Sequence, residues 1–272
     1  MQPVRVAFVT NLTSSISLPL LEALAASREL ELRQVLFFDT LTAARGSLRE
    51  LLREQGVVRL AGKALQLLRH KAAARIWRIA GGRGRETFCH EFAAARGLPT
   101  SVWADLNQPA VVSLLGQLEI DILLVCSCRQ ILRPVLLAAP RLGCVNVHPS
   151  LLPEHRGPMP VFWTLYEGAT STGVTFHLMT KRVDRGDLLE QFAMPILVGE
   201  DEAALQERLF REAARRLDGV LRQFADGGRR AWPQPRGQGS YQGYPTPRQR
   251  RQLARRLAQS RRRAAALTPR TP

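Results

Sequence analysis

The stretch "VNVHPSLLPEHRGP", Val145 to Pro158, decides how this chain is read. Its Val-Asn-Val opening has the look of a buried strand, and the period of two along a strand puts Asn146 and His148 on the same side. A loop stiffened by Pro149, Pro153 and Pro158 follows at once, because proline fixes φ and limits the paths the backbone can take. An amide and a titratable ring at a strand end, beside so constrained a loop, have the makings of a site.

Working outward, Arg5 to Thr10 reads as a buried strand, Leu18 to Ser27 as an amphipathic helix and Glu31 to Asp39 as a second strand. Then comes a basic helical stretch, Ser47 to Ile79, closed by Gly81 to Arg85, with no strand signal; it reads as an insertion over about 45–85. Phe88 to Arg96 and Gln108 to Leu118 follow as helices, and Thr100 to Ala104 and Ile120 to Cys126 as strands. Leu136 to Ala139 is a short helix before the strand Cys144 to Val147. Strands alternating with helices predict an α/β fold, a mostly parallel sheet with helices on both faces. Ligands bind such sheets outside the carboxyl ends of the strands, where Asn146 and His148 stand.

Beyond the loop, Pro160 to Glu167 reads as a helix and Thr172 to Met179 and Leu188 to Ile196 as strands with no crossover helix between them, hence antiparallel. Asp201 then caps a long helix whose apolar residues recur at Leu205, Leu209, Ala213, Leu217, Val220 and Leu221. The periodicity ends near Phe224, which predicts a domain over 1–226. Residues 227–272 form an Arg/Pro/Gly-rich extension, expected to be partly disordered, with one short helix near Gln249 to Ala258, and removable without loss of the fold.

With 272 residues and 45% apolar content the chain can bury a substantial core. No apolar run is long enough to span a membrane and the amino terminus reads as a strand, so a cytoplasmic protein is expected. Cys89, Cys126, Cys128 and Cys144 lack CxxC spacing, so neither a metal site nor a disulfide framework is indicated. The charge is lopsided: of the net +16, the twelve arginines from Arg229 to Arg270 supply +12, leaving +4 for everything before, and no acidic residue follows Asp226. Such a tail suits tRNA or another polyanion, or is simply solvated.

A third chemical group sharpens the pair at the strand end. The acid of "VDRGD", Val183 to Asp187, follows a strand on a glycine-containing loop. Asn146, His148 and Asp184 in one cleft would combine an amide donor, an imidazole and a carboxylate that tunes it. There is no GxSxG or HExxH. The set suits acyl transfer between two bound substrates.

"CVNVHPSLLPEHRGPMPVFW" followed by "TGVTFHLMTKRVDRGDLLEQ" resembles the 10-formyltetrahydrofolate-dependent formyltransferases, in which Asn-x-His-x-Ser-Leu-Leu-Pro precedes an Asp in a Leu/Val-Asp-x-Gly segment. The interval from His148 to Asp184 matches the family spacing, and "ILRPVLLAAPRLGC", Ile131 to Cys144, adds to the likeness. The resemblance runs from about residue 5 to residue 224 and implies a Rossmann-like formyltransferase fold.

It also implies roles. Asn146 would donate to the formyl oxygen as an acceptor amine attacks, protonated His148 would assist the departing N10 of the folate, and Asp184 would hold His148 charged and relay the amine proton through water. The formyl donor would lie against Ser150, Leu151, Leu152 and Pro153. Its pterin would be read by backbone groups of Arg129, Gln130, Ile131 and Leu132 and of Val183, Asp184, Gly186 and Asp187. Arg156 resembles an arginine of the methionyl-tRNA and sugar enzymes and is the candidate acceptor contact. No metal is implied.

Within that family the glycinamide ribonucleotide enzymes carry a Gly/Ser-rich phosphate loop after the first strand, where this chain has "VTNLTSSISLPLLEAL" without glycine. The methionyl-tRNA enzymes share "PRLGCVNVHPSLLP" and a later "PQP", but continue into a barrel that the 48 residues after Phe224 are too few to form. The expected acceptor is therefore a small primary amine, such as an amino sugar or a biosynthetic intermediate. Methionyl-tRNA held by the basic tail is the alternative. A non-catalytic nucleic-acid-binding protein is a third reading, kept open by Arg59, Lys63, Arg69, His70, Lys71 and Arg75, although such charges are more often a solvated helix face.

Overall fold

A computed structural model describes residues 2–12, 14–39, 88–235 and 237–267. The basic insertion expected over about 45–85 lies outside the described residues.

Strands β1 (Val4–Asn11), β2 (Leu30–Phe38), β3 (Thr100–Trp103), β4 (Ile122–Val125), β5 (Gly143–His148), β6 (Ser171–Leu178) and β7 (Leu188–Pro195) form one sheet in the order β3-β2-β1-β4-β5-β6-β7. The first five are parallel, and β6 and β7 run antiparallel to their neighbours. This is the mixed sheet the sequence predicts. All four residues of β4, Ile-Leu-Leu-Val, are buried, as a strand covered on both faces requires.

The helices are α1 (Leu18–Ala26), α2 (Cys89–Ala95), α3 (Pro109–Gln117), α4 (Pro134–Leu137), α5 (Pro160–Glu167), α6 (Glu202–Ala225) and α7 (Pro247–Leu267). Alternation along β1 sends Val4, Val6 and Phe8 to a core with α1, α2, α5, α6 and α7, and sends Ala7 and Val9 to a second core with α3 and α4. Helix α6 starts where Asp201 Oδ1 accepts from the Ala204 amide at 2.9 Å. It buries all six of its predicted apolar residues.

The extension departs from expectation. The predicted short helix is the much longer α7, and the segment between α6 and α7 is a strap fastened to the sheet rather than an appendage. Trp232 and Leu188 exchange backbone hydrogen bonds of 2.7 and 3.0 Å, and Arg229 pairs with Glu190. Farther on, Arg156 donates to Ser240 and accepts from Gln242 through the backbone, at 3.0 and 2.9 Å. Gly239, at φ +83°, approaches so closely that a Cβ there would lie 2.1 Å from the Pro153 carbonyl oxygen. Leu253 of α7 is only 4% exposed, inside the first core. Helical periodicity cannot reveal this docking, because the strap is held largely by hydrogen bonds of its backbone and polar side chains, which apolar spacing does not encode.

Candidate active site

The site forms where β4 and β5 end side by side. Val125 lies opposite Asn146 in the parallel ladder, so the segment after β4 and the Asn146/His148 pair emerge at the same edge. On the other side β6 runs antiparallel to β5 with Asn146 opposite His177 and His148 opposite Thr175. The β6–β7 connection brings Asp184 back over both.

Asp184 sits in the left-handed region at φ +50°. One carboxylate oxygen accepts from the Gly157 amide at 2.8 Å, and the other lies 3.8 Å from His148 Nδ1 and 3.6 Å from His177 Nε2. His148 is buried, and its Nε2 faces the His155 carbonyl at 3.0 Å, so both of its ring nitrogens look onto oxygen. Among the described residues four non-glycines have positive φ, and three of them, Ser127, His155 and Asp184, ring this site. Such geometry costs about 1–3 kcal/mol per residue and concentrates at functional sites.

His177 is the residue that sequence reasoning missed. Its Nδ1 donates to the Leu178 carbonyl at 2.9 Å, which leaves Nε2 to accept from Asn146 Nδ2 at 3.1 Å. Burial pushes its pKa down to about 4, against the pull of Asp184 towards the charged ring; neighbouring His148 lowers it further. The neutral ring accepts one N–H of the Asn146 amide and so orients that side chain. The signal was the His of "TFHLM", two residues after Thr175 on a strand, the same spacing that singled out Asn146 and His148.

The loop after His148 is held from behind. Thr175 donates to the Ser150 carbonyl at 2.6 Å and accepts from the Leu152 amide at 3.1 Å, while Gln191 donates to the Leu152 carbonyl at 2.7 Å. Ser150 turns its hydroxyl to the Glu154 carbonyl at 2.8 Å, Leu151 lies against Gly173, Leu152 is buried, and Pro153 follows a cis peptide. The stiffness read from the prolines is thus shared with two polar side chains of β6 and β7.

The two segments expected to read a pterin flank the Asn146/His148 edge. In the first, Leu132 is buried, Gln130 is engaged by the Leu106 amide and by Asp105, and the Arg129 guanidinium stands 5.3 Å from the Tyr244 ring centre. Ile131 there is 68% exposed, and Val183 in the second is 41% exposed. In the second segment Gly186 is buried and the Asp187 carbonyl accepts from the Leu178 amide at 2.8 Å.

Arg156 is neither on the surface nor ion-paired among the described residues. It is 3% exposed, donates to the Gln238 carbonyl at 3.0 Å, and its Nε has no partner there. Burial, with Arg185 nearby, disfavours its charge. The structure places it beneath the strap.

Residues 88–220 match a family model described as formyl transferase. The chain carries a formyl transferase domain. Over 214 residues it is 33% identical to a methionyl-tRNA formyltransferase of Synechococcus, covering 76% of this chain and 63% of that one. The chain spans from 33% to 63% of the length of the methionyl-tRNA formyltransferases it matches. Its fold is that of a glycinamide ribonucleotide transformylase of Symbiobacterium toebii (TM-score 0.58, 20% identity, covering 86% of this chain and 95% of that one). It is also that of a sugar N-formyltransferase from a Shewanella species (TM-score 0.56, 16% identity, 88% and 76%). The match to the formyl transferase model contains Asn146, His148, His177 and Asp184. It ends before the strap.

No helix among the described residues is long and apolar enough to cross a membrane. Burial raises all four thiols of the chain, Cys89 and Cys144 to about 12 and Cys128 to about 11, and none is poised as a nucleophile.

Proposed function

We propose that this chain transfers a formyl group from 10-formyltetrahydrofolate to a primary amine. The observation that carries the reading is the convergence of Asn146, His148 and Asp184 on one cleft edge, with both histidines within 4 Å of a single Asp184 oxygen. Asn146 donates its free amide N–H to the formyl oxygen as negative charge develops there. His148 gives its proton to the departing N10. Asp184 takes the proton lost by the amine, through water. A bond forms between the amine nitrogen and the formyl carbon, the carbon–N10 bond breaks, and the proton count balances. Bound, the folate supplies an activated formyl group; Ile131 and Val183 would border its ring, with backbone groups of residues 129–132 and 183–187 as hydrogen-bonding partners.

For the acceptor we infer a small amine, the reading that asks nothing of the chain beyond the cleft. A specific observation favours methionyl-tRNA instead. Arg248, Arg251 and Arg255 on α7 are exposed, with no carboxylate partner among the described residues, and their spacing puts them opposite the face that carries Leu253 and Leu257. A row of free guanidiniums suits a phosphodiester backbone. The sequence relatives named above are methionyl-tRNA enzymes.

The test is to incubate the protein and 10-formyltetrahydrofolate with nucleotide-linked amino sugars and amino acids, in parallel with charged initiator tRNA, and to weigh the N-formyl products. Product among the small amines is expected. Formylation of methionyl-tRNA alone makes the second reading correct, and no N-formyl product from any amine overturns the reaction itself.

A further inference from the structure

We propose that Gln234, on the strap, is a positioning residue for Asp184, fixing the left-handed turn that holds the carboxylate over His148 and His177. The proposal rests on the reading of Asp184 as the proton acceptor.

The turn at 184–186 is not held by its own backbone alone. A side chain in the left-handed region costs about 1–2 kcal/mol, and Asp184 adopts it at φ +50°. Gly186 wedges the turn against β6, where a Cβ would lie 1.6 Å from the Leu178 carbonyl oxygen. That fixes the far end of the turn, and the Arg185 amide donates to the Arg182 carbonyl at 3.3 Å, but neither contact holds the Asp184 carbonyl itself.

Gln234 supplies the missing restraint. Its Nε2 donates at 2.9 Å to the Asp184 carbonyl and at 2.9 Å to the Gly186 carbonyl, so one amide group clamps the carbonyls on both sides of Arg185. Register explains the placement. Leu188 and Trp232 form an antiparallel bridge, and two residues on from each in opposite directions lie Gly186 and Gln234. The sheet edge thereby delivers Gln234 to the turn.

The other half of the amide points the same way. Gln234 Oε1 is buried and has no partner among the described residues. An unmet buried acceptor costs about 1–3 kcal/mol, a poor choice if the side chain served only to glue the strap down. Donors aimed at two carbonyls are what the position uses. With the turn fixed, Asp184 keeps its 2.8 Å contact to the Gly157 amide and its place beside both histidines. Motion of the peptide plane would swing the carboxylate off them, and displacements near 1 Å are worth about 100-fold in rate.

The Gln234→Met variant keeps the length and removes both donors. Its kcat is expected to fall by about 10- to 100-fold, while in an Asp184→Asn background the same change adds almost nothing, because the group it positions is already gone. The Gly157 amide resonance in glycine-labelled protein reads the Asp184 contact without turnover, and is expected to move in Gln234→Met towards its place in Asp184→Ala. Should the Met variant not fold, Gln234→Asn, whose amide falls short by one methylene, carries the same expectations. Unchanged kcat, a full multiplicative loss in the Asp184→Asn background, or an unmoved Gly157 resonance overturns the proposal. If the wild type formylates no amine, the reaction reading fails, and the Gly157 resonance alone still decides whether Gln234 holds the turn.

Discussion

Asn146 and His177 face each other across β5 and β6, the amide nitrogen of one 3.1 Å from the ring nitrogen of the other. The Leu178 carbonyl on His177 Nδ1 fixes the tautomer, and the tautomer fixes which way the Asn146 amide turns. His177→Leu removes that chain of constraint without touching Asn146. The expected result is a fall in kcat of about 10- to 100-fold, less than loss of a whole oxyanion donor, with KM for the folate nearly unchanged. Steady-state kinetics settle it; wild-type kcat would show that Asn146 is oriented by something else.

The same histidine makes the fold acid-sensitive. Its pKa drops on folding from an ordinary value of 6.5 to about 4, mainly through burial, so between those values the unfolded chain binds a proton that the native one refuses. Stability attributable to His177 is complete above about pH 6.5 and declines as the pH falls towards 4, by up to about 1.4 kcal/mol per pH unit. Urea titrations across that window should show the decline in wild type and a shallower one in His177→Gln. Identical slopes would mean the acid response comes from other groups.

Deleting everything from Arg229 onwards is expected to destabilise the protein, contrary to what the end of the apolar periodicity suggests. The truncation removes the Trp232 bridge to Leu188, the Arg229–Glu190 pair and the buried Leu253. The milder Leu253→Ala is expected to cost about 2–4 kcal/mol. Thermal and denaturant melts compare the three proteins, and a truncated form as stable as the parent would reduce the strap to a passive covering.

Reversing the free charges of α7 separates capture from chemistry. The triple variant Arg248→Glu, Arg251→Glu, Arg255→Glu leaves the buried face of the helix intact. Its affinity for tRNA is expected to fall and to become less sensitive to salt, the slope of log K against log salt shrinking by about 0.9 for each duplex phosphate no longer neutralised. Turnover of a small amine should stay at the wild-type level. Equal tRNA affinity in both proteins would clear α7 of any part in polyanion binding.

Much of this molecule was legible in the residues themselves. The run of strand and helix periods determined the α/β order, because alternation at two and at 3.6 residues is a local property of the chain. That Asn146 and His148 share one side of a strand end was legible because a period of two is local, whereas the seating of Asp184 beside them depends on Gly157 and Gln234, far off in sequence. What the tertiary structure alone decided is the support around them. The partner of Asn146 is thirty-one residues away and is chosen by antiparallel register, which no spacing encodes. Arg156, read as reaching for a substrate, lies instead under a strap some eighty residues farther on. That strap binds through backbone groups and through polar side chains such as Arg229, Gln234 and Gln242, whose partners lie far off in sequence, so only the folded chain shows which of them meet.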